Sequence, residues 1–264
     1  MSTRTLKTVA FIPARYASSR FPGKPVALIA GKPMIQHVYE RVSEARRVDE
    51  VYVATDDRRI ADVVEKFGGK YIMTSSSLRS GTDRCAEAAR KIKADIIANI
   101  QGDEPVISPS TIDAVISALT KSSKTVMSTA AVKITDRSLL ESENVVKVVL
   151  ARNGDALYFT RSVVPHLRGV DRDEYLSRCG FLKHLGIYVY RREFLKKLTR
   201  LTETPLESAE KLEQLRVLEN GHNIRVAVVE QDTISVDVPS DIAAVEEYMM
   251  NKTSKGKRSA IGKA

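Results

Sequence analysis

Short apolar runs recur along the first half of this chain, each giving way to a polar turn and then to a helical stretch. The runs are residues 8–12, 51–55, 71–74, 96–100 and 126–132. Between them, 58–67 has helical character and closes on Gly68-Gly69, 81–93 is helical, and 108–119 opens on Ser-Pro-Ser-Thr, a good helix start. The short runs read as buried strands. A strand–helix rhythm of this kind predicts an α/β fold with a mostly parallel sheet and helices on both faces.

The second half breaks the rhythm. Residues 145–150, 156–159 and 185–190 read as strands without long helices between them, and 161–178 is irregular and charge-rich. Helices are expected at 191–198 and 206–219, then strands at 224–229 and 234–237 and a last helix at 239–249. We therefore expect a single domain over 1–250, with a smaller mixed sub-region at about 145–215 that could serve a dimer contact. The segment 251–264 holds Lys252, Lys255, Lys257, Arg258 and Lys263 with no acid, and reads as a basic, disordered tail.

That tail changes what the formal charge of +9 means. Without its five cations the first 250 residues carry +4, which suits an enzyme for anionic small molecules better than a nucleic-acid binder. No apolar run approaches the roughly 20 residues of a membrane span. The N-terminus has no apolar signal core, so the expectation is a cytoplasmic protein. Cys85 and Cys179, the only cysteines, read as reduced thiols without metal-ligand spacing.

Chemistry concentrates just past the predicted strand ends. The loop after the first strand carries Arg15, Ser18, Ser19, Arg20 and Lys24 within ten residues. In an open parallel sheet this is where anionic ligands bind. Gly23-Lys24 resembles the end of a Walker loop, but Ser18 stands where that motif needs Gly, and Pro25 where it needs Ser or Thr. No Gly-x-Gly-x-x-Gly follows the strand, so phosphate must be held by Arg15 and Lys24 rather than by a glycine cradle. Asp103, in Gln101-Gly102-Asp103-Glu104-Pro105 after a central strand, fits a magnesium ligand or a turn cap. Asp237, before the last helix, is a second such carboxylate, or simply leads into that helix with Asp241 as a first-turn acid. Ser80 or Thr82 caps a helix whose first turn carries Arg84, a residue that could face the same crevice. Arg161 could receive a carboxylate. Glu213 has the alternative of a solvated helix face, and a single histidine such as His184 is more often structural than catalytic.

Taken together, these segments resemble one family. They are Pro13-Ala14-Arg15, Pro22-Gly23-Lys24-Pro25, Ser80-Gly81-Thr82-Asp83-Arg84, 99–105, 156–161, His184-Leu185-Gly186-Ile187-Tyr188 and Leu212-Glu213-Gln214-Leu215-Arg216, in the family's order over about residues 8–248. The family is the 3-deoxy-manno-octulosonate cytidylyltransferases, or CMP-Kdo synthetases. The resemblance implies a Rossmann-like nucleotidyltransferase fold, CTP and Kdo as substrates, Mg2+ as cofactor, a homodimer, and a place in bacterial lipopolysaccharide biosynthesis. It implies that Arg15 and Lys24 hold the triphosphate, and that Ala14, Ser80, Gly81, Arg84 and Gln101 line the cytidine and sugar side. Asp103 and Asp237 would ligate magnesium. Gln101 and, from the mixed sub-region, Arg161, His184, Tyr188, Glu213 and Gln214 would surround the sugar acid. The segment Ser235-Val236-Asp237-Val238-Pro239 departs from the family's Gly-Val-Asp-Thr-Pro, though Asp237 and Pro239 remain.

The expected reaction is in-line attack of the sugar's anomeric hydroxyl on the α-phosphorus of CTP, with pyrophosphate leaving. The alternatives are a nucleotidyltransferase for another acidic sugar, a nucleotide-binding regulator without activity, and a basic nucleic-acid-binding module. The last is disfavoured because the few aromatic residues sit mostly in apparent core strands.

Overall fold

The computed structural model describes residues 6–17 and 20–261, with backbone alone for 252–261. Ser18 and Ser19 of the first loop, and residues 262–264 of the basic tail, lie outside the described residues. In chain order the first half holds β1 (Thr8–Ala14), the short pair β2 (Leu28–Ile29) and β3 (Lys32–Pro33), α1 (Met34–Ser43), β4 (Glu50–Thr55), α2 (Arg58–Lys66), β5 (Tyr71–Met73), α3 (Gly81–Lys91), β6 (Ile96–Asn99), α4 (Pro109–Thr120) and β7 (Met127–Lys133). The second half holds α5 (Arg137–Glu141), β8 (Lys147–Leu150), β9 (Ala156–Thr160), α6 (Tyr175–Arg178), β10 (Leu182–Arg191), α7 (Arg192–Leu198), α8 (Pro205–Glu210), α9 (Leu215–Glu219), β11 (Ile224–Val229) and α10 (Asp241–Ile261).

The main sheet runs β11-β7-β10-β6-β1-β4-β5, with β8 paired to β10 and β9 to β8. β6, β1, β4 and β5 are mutually parallel, as are β7 and β11; β10 alone lies antiparallel between β6 and β7. Alternate residues of β1 face opposite sides. Ala10 and Ile12 pack with Ile35, Val38, Ile60 and Ile112 from α1, α2 and α4. Val9 and Phe11 pack with Cys85, Ala89, Phe194 and Leu215 from α3, α7 and α9. The expected mostly parallel sheet with helices on both faces is therefore the observed fold, because strands covered on both sides must be apolar throughout.

Several local features differ from the sequence pattern. Within the mixed sub-region, β10 is a central strand of the main sheet. Residues 234–237 form no strand: the backbone N–H of Val236 donates to the Asp103 carbonyl (3.0 Å), and no strand among the described residues pairs with it. The helix expected at 206–219 breaks in two at Lys211, which adopts a left-handed φ of 53°. The terminal helix runs on to Ile261, through most of the segment expected to be disordered; 241–261 contains no proline, and helix propagation is easy once a first turn has formed. Cys85 and Cys179 are both free. No helix among the described residues is long and apolar enough to cross a membrane.

Candidate active site

Because β1, β4 and β6 run parallel, their carboxyl ends open at one edge of the sheet, with Phe11 level with Asn99 and Ala14 level with Thr55. β10 runs the other way, so Tyr188 stands opposite Asn99 and the residues before it reach the same edge. A cleft of about 370 Å³ lies there, lined by Pro13, Ala14, Arg15, Ala17, Arg20, Lys24, Pro25, Gly81, Arg84, Gln101, Gly102 and Asp103. Beyond the N-terminus of α3, a second cleft of about 750 Å³ is lined by Arg79, Ser80, Asp83, Glu213, Arg216 and their neighbours.

The first loop is closed on itself, with the Gly23 N–H donating to the Tyr16 carbonyl at 2.9 Å. Gly23 has φ 73°, and a side chain there would also press on the Tyr16 ring at 3.2 Å. Lys24 follows in a short 3-10 turn, with Pro25 buried beneath it. The second loop is seated against the first: a Cβ on Gly102 would stand 2.9 Å from the Pro13 carbonyl oxygen, so only glycine allows this approach. That contact places Asp103 beside Lys24.

Lys24 Nζ donates to Asp103 Oδ2 at 2.6 Å and to the Val236 carbonyl at 2.9 Å, and stands 3.8 Å from Asp237 Oδ1. Two carboxylates 134 positions apart in sequence thus converge on one ammonium group. Asp237 arrives on the irregular strap 231–240. Val236 anchors the strap in a small core with Ile29, Met34, Val106 and Val245. Asp241, in the first turn of α10, accepts from the Asp237 and Val238 N–H groups at 2.7 and 2.9 Å. Arg20 adds an exposed contact to Asp237 at 3.0 Å. Arg15 lines the cleft, its guanidinium also donating to the Leu78 carbonyl.

Ser80 caps α3 reciprocally with Asp83, leaving Gly81 at the cleft wall. Arg84 lines the same cleft yet is fully buried. Its guanidinium donates to Thr74 Oγ1 (2.5 Å) and Asp56 Oδ2 (3.0 Å), and its Nε has no partner. Gln101 Nε2 donates to Asn99 Oδ1 at 3.3 Å.

The residues expected around the sugar acid form a drier group. Thr82 donates to Glu213 Oε2 at 3.1 Å, and the Tyr188 hydroxyl donates to Gln214 Oε1 at 3.1 Å. Burial pushes the Glu213 carboxyl and the Tyr188 hydroxyl up from their ordinary values. Gln214 is buried, and among the described residues its Nε2 has no hydrogen-bond partner; Asn99 Nδ2 is likewise buried and unpartnered. Buried amides of this kind call for an acceptor. The break at Lys211 is what turns Glu213 and Gln214 toward α3 and β10.

Two of the expected residues sit differently. The His184 ring is buried, bonded to Thr129 Oγ1 (2.9 Å), edge-on to Phe159, and pushed down to about 3 by burial, so it is a neutral core group. Arg161 lines neither cleft described above: its Nε and Nη1 donate to the carbonyls of Glu210 and Glu143, both at 2.9 Å. Asn99 received no role from the sequence, although one polar residue in the otherwise apolar run 96–100 is a visible signal. Glu104 was missed as well. It is buried, accepts from the Thr233 hydroxyl, and is pushed up to about 7, chiefly by burial.

Comparison with known proteins follows this geometry. A family model described as Cytidylyltransferase matches residues 9–224. A 3-deoxy-manno-octulosonate cytidylyltransferase of Geobacter metallireducens is 53% identical, over 92% of this chain and 98% of that relative. One of Bacteroides thetaiotaomicron is 46% identical, over 94% and 100%. Among solved structures, CMP:2-keto-3-deoxy-manno-octonic acid synthetase complexed with CTP superposes with a TM-score of 0.87 at 43% identity, covering 93% of this chain and 99% of that one.

Proposed function

The chain belongs to the 3-deoxy-manno-octulosonate cytidylyltransferase family, and from that premise we propose that it joins CTP to Kdo at the paired clefts beside α3, giving CMP-Kdo and pyrophosphate. The observation that carries the assignment of the site is the convergence of Asp103 and Asp237 on Lys24 at the carboxyl edge of the parallel strands. Lys24 and Arg15 bind the triphosphate as a point charge and a fork. Asp103 and Asp237 would hold magnesium. Asp103 on the cleft wall and Asp237 on the far side of the same ammonium group fit its habit of taking one or two carboxylates together with substrate phosphates. When bound, magnesium supplies charge neutralisation at the phosphate oxygens.

The sugar acid stands on the other side of Gln101, against Glu213, Gln214 and Tyr188, with its anomeric hydroxyl directed at the α-phosphorus. Attack is in line and pyrophosphate departs along the Arg15–Lys24 loop. The chain's contribution is positioning and charge neutralisation. His184, bonded to Thr129 and held neutral, serves as packing beneath Tyr188 rather than as a proton acceptor. Family membership also supports a cytoplasmic homodimer that serves lipopolysaccharide biosynthesis.

The test is pyrophosphate release from CTP, magnesium and Kdo. We expect release that a chelator abolishes and excess magnesium restores. Release sustained by another acidic sugar but not by Kdo would overturn the substrate assignment.

A further inference from the structure

We propose that the buried Glu207–Arg216 pair is a positioning device for the sugar acid: it locks the α8–α9 corner so that Glu213 and Gln214 keep their places against α3 and β10. Arg216 Nε and Nη2 donate to the two carboxylate oxygens of Glu207 at 2.7 and 2.5 Å, a bidentate fork, and Nη1 donates to the Leu201 carbonyl at 3.1 Å. Both side chains are largely withdrawn from water, at 18% and 9% exposure. Glu207 and Arg216 line the second cleft, but both carboxylate oxygens and three of the five guanidinium N–H groups are spent on the chain itself, which assigns the pair to positioning.

The corner needs such a lock. Lys211 sits in the left-handed region at φ 53°, where a non-glycine residue is held only by its surroundings. Glu207 is in the first turn of α8 and Arg216 in the first turn of α9, so their fork closes the two arms of the corner across the strained residue. The α8 end is fixed separately, because Glu210 accepts from Thr160 Oγ1 (2.6 Å) and from the Arg161 N–H (2.9 Å). With both arms fixed, Glu213 meets Thr82 and Gln214 meets Tyr188.

The proposal rests on the site assignment above, and the experiment separates the two. Steady-state constants for both substrates, CTP binding by calorimetry and thermal midpoints are measured for Arg216→Lys, Glu207→Gln and Gln214→Ala. Arg216→Lys keeps the charge but loses the fork. We expect all three to raise the KM for Kdo by about 10-fold or more, the scale at which sub-ångström misplacement acts, with CTP affinity unchanged. Wild-type constants in Arg216→Lys beside a raised Kdo KM in Gln214→Ala would overturn the clamp alone. Parallel losses for both substrates in Arg216→Lys, tracking its thermal midpoint, would reduce the pair to a stability element. An unchanged Kdo KM in Gln214→Ala would overturn the sugar-side assignment and the clamp with it. Should Glu207→Gln not fold, Arg216→Lys decides.

Discussion

The half of the site proposed for the triphosphate and the half proposed for the sugar are built on opposite principles. In the first, Lys24, Asp103 and Asp237 stand on loops, partly open to water at 15%, 28% and 48% exposure, and they recognise charge with charge. In the second, amides, hydroxyls and a carboxyl are withdrawn between α3, α9 and β10, with two amide donors unpartnered among the described residues, while Arg79 and Lys211 line the cleft beside them. Loop charges can follow a flexible polyanion. Buried neutral donors cannot move far, and they reject a substrate that fails to satisfy them. On the proposed assignment, the difference gives rate to one half and selectivity to the other.

The largest expected effect breaks the first half alone. Asp103→Asn keeps the side-chain volume but removes one of the two carboxylates that converge on Lys24. We expect turnover to fall by about 10²- to 10³-fold, on the scale of losing a principal electrostatic contact to the transition state. Circular dichroism should stay as in the parent, because Asp103 lies on a loop. A variant retaining a tenth of the parent's pyrophosphate release would remove Asp103 from the reaction.

A smaller effect concerns the one acid in the charged half that behaves like the other half. Glu104 lies under the strap that brings Asp237. Burial, helped by the nearby Asp103 and Asp232 charges, raises its carboxyl to about 7, against the lowering influence of Thr233 and Lys183. The folded state therefore keeps this proton between pH 4.5 and 7, while the unfolded chain releases it. The stability it contributes is fully present below 4.5 and is lost as pH rises through 7, a change of about 3 kcal/mol at most. Glu104→Gln retains an acceptor for Thr233 and removes the titration. Urea unfolding at pH 5 and pH 8 should show the parent losing stability relative to the variant across that interval. Equal pH dependence in both proteins would mean that Glu104 is ionised in the fold.

The two halves also differed in how far the sequence displayed them. Lys24 and Asp103 follow buried strands within short motifs, so topology alone sends them to the same edge, and the parallel sheet was itself visible in the rhythm of apolar runs. Asp237 was visible as a residue, but its meeting with Asp103 depends on the Val236 contact, which no local pattern encodes. The sugar half depends on long-range events. The apolar spacing over 206–219 suits one helix, and nothing in it announces a left-handed Lys211. The inward pairing of Arg84 with Asp56, the diversion of Arg161 onto carbonyls and the core role of His184 each hang on partners 10 to 55 positions away. Charged loops advertise themselves locally; a dry pocket is written in its packing.

The smallest effect tests whether the sugar half is separable. Tyr188 is half-buried, with its hydroxyl pushed up by burial so that it stays a neutral donor, and it satisfies Gln214 Oε1. Tyr188→Phe leaves that buried amide without a partner at either end. The unmet acceptor should lower stability by about 1 kcal/mol. It should also raise the Kdo KM by about 10-fold, since one hydrogen bond of this kind corresponds to roughly 1.4 kcal/mol of discrimination. The KM for CTP should not move, because Tyr188 lies on β10 and shares no hydrogen bond with Lys24, Asp103 or Asp237 among the described residues. Steady-state kinetics with each substrate varied in turn reads both numbers. A matching rise in the CTP constant would show that strain at Gln214 reaches the triphosphate loop, and the division between a rate half and a selectivity half would give way to one coupled site.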